Sequence, residues 1–154
     1  MWSRAHDRVG SLSRSTPAQI ERARRLLAHE VGGGTEVGGA TTAAARVYDK
    51  LHAHMAPLVG VAGVQLLFVR AAKLTPGDFA WLSEVSILEG STKLRERLQA
   101  QDPAVAADSA VSLFGNFFAL VTTFIGERLT TEILRRAWPT IEDTAPTERR
   151  PNHE

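Results

Sequence analysis

No cysteine occurs among the 154 residues. That excludes a disulfide framework, a thiolate metal site and a cysteine nucleophile. Tyrosine occurs once and aromatic residues make up only 6% of the chain, too few to favour a β-sandwich or barrel. An excess of charge is also missing: 18 Lys and Arg against 17 Asp and Glu leave a formal net charge of +1. A protein that neutralises many phosphates needs a basic surplus, so this balance argues against a nucleic-acid partner. Lysine is scarce, with three against 15 arginines. Arginine is the better phosphate reader, but the joint abundance of Ala, Gly, Pro and Arg is explained by codon bias. The first residues, MWSRAHDRVGSLSRSTP, have no apolar core and no small-residue cleavage pattern, so they are not a secretory signal. Arg4, Arg8 and Arg14 with their serines suit a transit peptide, but Asp7 and the missing amphipathic hydrophobes do not. Residues 1–15 therefore read as a flexible arm, and the expected location is cytoplasmic.

What the chain has is helix-forming apolar residue: 22 Ala and 16 Leu, within a 44% hydrophobic composition. Thr16-Pro17-Ala18-Gln19 is a helix start, with Thr16 as N-cap, Pro17 at the first position and Gln19 completing a capping box. Ile20, Ala23, Leu27 and Val31 follow as an apolar stripe, and Glu21 stands four before Arg25. The Gly-rich stretch 32–40, GGGTEVGGA, reads as a linker. It is not a phosphate-binding loop, because Gly39 is followed by Ala40-Thr41 and not by Lys-Ser/Thr.

A second helix is expected from a cap at Thr41 or Thr42, burying Ala44, Val47, Leu51 and Met55, with Tyr48 beside them. Pro57 is expected to end it and a third helix to run from there to Leu74, with Val61, Val64, Phe68 and Ala71 inward and Leu58, Leu67 and Leu74 widening the face. Thr75-Pro76-Gly77-Asp78 starts a short helix carrying Phe79, Trp81 and Leu82, and another helix places Leu94 and Leu98 inward. After Asp102-Pro103 comes the most unusual segment. Ala104, Ala107, Val111, Phe114, Phe118, Val121 and Ile125 repeat at alternating spacings of 3 and 4, a heptad seam. Leu113, Phe117, Leu120 and Phe124 form a second row beside it. Gly126 is read as the end of this helix, with a continuous helix into the next segment as the alternative; Leu129, Ile133 and Ala137 extend the stripe along a last helix, and Pro139 stops it. The tail, residues 140–154, has one Ile and no periodicity, and reads as disordered.

The fold expectation is an all-α, single-domain bundle of about six helices over residues 16–139, with helix 103–125 as its central member. A membrane span is disfavoured. Ser109 to Ile125 gives 17 uncharged residues, closed by Asp108 on one side and Glu127 and Arg128 on the other, whereas a span needs about 20.

Catalytic signals are absent. His52 and His54 are two apart and diverge by about 200° on a helix, where a helical zinc pair uses i and i+4. Asp49 can join His52, but no third ligand is visible. His54 and His29 lack the Lys-Gly that follows a phosphotransfer histidine, and no Gly-x-Ser-x-Gly elbow occurs. Asp78, Glu84 and Glu89 are explained by capping and solvation. No helix after a short turn carries the basic reading positions of a helix-turn-helix. No catalytic residue, cofactor or metal is assigned.

Asn116 is the polar anomaly of the apolar helix. It fixes register or partner choice, lines a ligand cavity, or sits on a narrow edge facing water, and the last is the simplest reading. With Phe114, Phe117 and Phe118 it makes the candidate interaction or pocket surface, to which Trp81 and Trp138 are added as aromatic anchors. The functional expectation is a non-enzymatic interaction or regulatory module with a protein partner or self-association, a homodimer included. The alternative is a bundle that binds a small molecule or lipid, an enzyme included.

Two stretches carry a resemblance. One runs from Ala56-Pro57-Leu58-Val59-Gly60 to Phe68-Val69-Arg70-Ala71. The other is Phe124-Ile125-Gly126-Glu127-Arg128-Leu129-Thr130, with Leu134 and Ala137-Trp138-Pro139. Together they frame most of residues 41–139 and resemble a group of uncharacterised bacterial all-helical proteins. The resemblance implies a helical fold and a bacterial origin. It implies no activity and no site residue.

Overall fold

The computed structural model describes residues 16–32, 39–75, 81 and 90–141. They form six helices, with no strand among the described residues: α1 (Pro17–Gly32), α2 (Gly39–Val59), α3 (Val61–Lys73), α4 (Ser91–Gln99), α5 (Pro103–Ile125) and α6 (Glu127–Ala137). The expected all-α bundle with an apolar central helix is what the chain forms. The arm 1–15, most of the Gly-rich linker, residues 76–78 of the expected helix start with Phe79 and Leu82, the acids Glu84 and Glu89, and residues 142–154 lie outside the described residues.

Helix α1 starts on its cap. The Gln19 backbone N–H donates to Thr16 Oγ1 at 3.3 Å, and Glu21 meets Arg25 at 3.8 Å. The Gln19 side chain does not close the capping box; it donates instead to Thr122 Oγ1 of α5 at 3.4 Å. The buried stripe of α1 also differs from the expected one. Ala23, Leu26 and Leu27 face inward together with the polar Gln19, Arg22 and Glu30, while Val31 is exposed. The helix turns this way because its polar side chains find partners on α2, α5 and α6.

Two expected boundaries are corrected. Helix α2 begins at Gly39, so Thr41 lies within its first turn and is not its cap. It also continues past Pro57 to Val59. Pro57 sits in the last turn, where it removes only one helical bond, and Ala53, whose carbonyl loses that bond, is an exposed residue. The break falls at Gly60, whose φ of 84° is open to glycine and costly for other residues. Gly126, with φ 95°, ends α5 and starts α6 in the same way.

Helix α5 packs on all five of the others, and so does α2, making a two-helix centre. Phe68 of α3 is wedged into it. Its ring stacks on Phe117 at 4.0 Å, meets Phe114 edge-on at 6.0 Å and lies 4.5 Å from Tyr48. The heptad seam is only partly the buried face. Residues 113–119 are buried all round, but Ala104 at one end and Phe124 at the other are exposed. A single seam suits one partner helix; α5 has neighbours on several sides at its middle and few at its ends. It is the one described helix long and apolar enough to cross a bilayer, and 61% of its most apolar window is buried in the bundle, as in a core helix.

Candidate functional site

The structure places the sequence-derived candidates mainly in the interior. Phe114, Phe117 and Phe118 are buried, and Asn116 is 2% exposed. The expectation that Asn116 faces water is therefore corrected. Its Nδ2 donates to the Ala71 carbonyl at 3.3 Å. Ala71 lies in the last turn of α3, where its carbonyl takes the Leu74 backbone N–H at 3.1 Å and keeps a lone pair for a second donor. The side chain of Asn116 thus ties α5 to the C-terminal end of α3. The space lined by Leu51, Met55, Phe117 and Phe118 is too small to admit a water molecule. Trp138 is 1% exposed, and Trp81 is partly buried against the core.

Two polar clusters, built on the buried Arg22 and Glu30, were not legible in the sequence. In the first, Arg22 is 1% exposed and donates from Nη1 to Gln19 Oε1 at 3.0 Å and from Nη2 to Glu127 Oε2 at 2.7 Å. Thr131 Oγ1 also donates to Glu127 Oε2, at 3.0 Å. In the second, Glu30 Oε2 accepts from Trp138 Nε1 at 2.7 Å and from Lys50 Nζ at 2.6 Å. The Lys50 ammonium also lies 5.4 Å from the centre of the Trp138 ring. Burial pushes the Glu30 carboxyl up, but the Lys50 and Trp138 hydrogen bonds and the Lys50 and His29 charges outweigh it and hold the group below its ordinary value. In each cluster one carboxylate oxygen is held by a cation and a neutral donor, which is the chemistry of a structural tie. Among the described residues no group of three His, Asp or Glu side chains is placed to hold a metal ion. His29 and His54 are exposed and His52 is partly exposed.

The accessible site is elsewhere. Leu58, Leu66 and Phe124 are exposed to 51%, 67% and 68%. They lie around an open groove of about 420 Å³ formed by the end of α2, the outer face of α3 and the end of α5. Val59, Gly63 and Leu67 complete its apolar lining, and Arg70 is the one charged side chain on it. A second cleft, of about 400 Å³, lies between the start of α2 and the α4–α5 turn, near Thr41, Leu98 and Ala106. One signal for the groove is legible in the sequence. Residues 58–69 carry apolar side chains at Leu58, Val61, Leu66, Leu67 and Val69, more than one buried face of α3 uses. The expectation that Leu58 widens the buried face and that Val61 belongs to it is corrected, since both are exposed.

No family model matches the chain, and no curated protein and no solved structure matches it.

Proposed function

We propose that this chain is a non-enzymatic helical interaction or regulatory module whose working surface is the groove between α2, α3 and the end of α5. The observation that carries the reading is the cluster of exposed apolar side chains at Leu58, Leu66 and Phe124 around one concavity. Scattered exposed leucines are ordinary, whereas apolar groups gathered at a groove mark a binding surface. The use of Glu30 and Glu127 as ties between helices, each held by a cation and a second donor, adds support.

The test is site-specific photocrosslinking in the native host. A benzophenone amino acid at position 66 is expected to give discrete protein adducts that vanish when Phe124→Asp is added. The same probe at the exposed Arg97 on α4 is the control. Equal labelling from both positions, or adducts indifferent to Phe124→Asp, would overturn the proposal.

A further inference from the structure

We infer that the groove takes an amphipathic helix carrying a carboxylate beside its apolar anchors, with Arg70 as the reader of that carboxylate. This rests on the proposed interaction role and narrows its partner.

The shape argues for a helix. The central wall, Leu66, Leu67 and Arg70, lies inside α3, where backbone groups are paired within the helix. An extended segment laid there would bury peptide groups without partners. A helix satisfies its own backbone and presents only side chains. The lengths match as well. From Gly63 to Arg70 the wall of α3 spans seven residues, roughly 10.5 Å at the helical rise, which is also the span of partner anchors at i and i+7. The openness of the groove disfavours a small apolar ligand. Such ligands are enclosed over most of their surface, whereas Leu66 and Phe124 are two-thirds exposed here.

The charge selects among helices. Arg70 is exposed and makes no ion pair among the described residues. A second copy of this chain docking by the same patch would set two arginines into one interface and supply no acid from the lining, because an isologous contact repeats one surface. An acidic partner helix pairs with Arg70 while its apolar side chains cover Leu66 and Phe124.

The experiment uses two fluorescein-labelled helical peptides with leucines at i, i+3, i+4 and i+7. They are identical except for Glu or Lys one turn beyond the last leucine. Fluorescence anisotropy with the full chain is expected to give roughly fivefold tighter binding of the Glu peptide. Arg70→Glu should reverse that order, and Leu66→Asp with Phe124→Asp should abolish both. Thermal melts check that these exposed substitutions leave the fold intact. If both peptides bind equally and Arg70→Glu changes nothing, the acidic-helix inference falls, while loss on Leu66→Asp with Phe124→Asp still supports the groove. If neither peptide binds, and sedimentation shows a dimer that those substitutions break, the occupant is a second copy and the inference is overturned. Binding of phosphatidylcholine vesicles in place of either peptide overturns it in favour of a lipid surface. Failure to bind anything, with no effect of the double substitution, overturns both the inference and the groove.

Discussion

Asn116 shows how a single residue in an apolar helix acquires its meaning from a neighbour. In the sequence it is an isolated amide among Phe, Gly, Ala and Leu, and the cheapest place for it is water. In the fold it is buried because the last turn of α3 offers the Ala71 carbonyl. Phe118 is the opposite case. Its place on the predicted seam is enough to put it inside, and it is 1% exposed, packed edge-on with Phe117 at 5.9 Å. Phe118→Ala should cost about 3–5 kcal/mol. Urea unfolding checks this, and a loss below 1 kcal/mol would show that the site is not a rigid part of the core. Phe124, six residues further on, has the same chemistry and is left 68% exposed.

At the scale of helices, apolar periodicity located α2 and α5 well, and failed where polar side chains share a buried face. Gln19, Arg22 and Glu30 stand in register with Ala23, Leu26 and Leu27. Read alone, α1 is a surface helix with an apolar stripe, because nothing in residues 17–32 announces Glu127 or Lys50 as partners. The Arg22–Glu127 pair joins α1 to the first turn of α6, and its two ends behave differently. Glu127→Ala removes the carboxylate that pairs with the buried guanidinium, and should cost about 2–3 kcal/mol. Arg22→Met removes the buried charge and keeps much of its volume, and should stay within about 1 kcal/mol of the original. Chemical denaturation of the two variants decides it, and the reverse order would mean that Arg22 contributes mainly through its attraction to Glu127. The boundaries at Gly60 and Gly126 were differently legible. Gly126 was read as a stop, whereas the proline before Gly60 drew the expected break three residues too early.

For the whole molecule, the Glu30 cluster is the tie that closes the bundle. It joins α1 to α2 through Lys50 and to the residue after α6 through Trp138, so one carboxylate links three separated parts of the chain. Glu30 is held below its ordinary value of 4.5, so its stabilisation is complete above that pH and is lost as the pH falls through the lower folded-state value. Glu30→Gln should be less stable at neutral pH but should lose less on acidification below about pH 4.5. Urea midpoints measured across that range check the sign, and an unchanged slope would place the acid sensitivity elsewhere. The sequence by itself determined that the chain is helical, where most of its helices lie and that α5 is the apolar centre, because helix propensity, caps and periodicity are local properties. Only the tertiary structure decided which apolar residues remain outside and which polar ones go in. An exposed Leu66 and a buried Arg22 depend on neighbours far away in the chain, and those neighbours come together only when the helices pack.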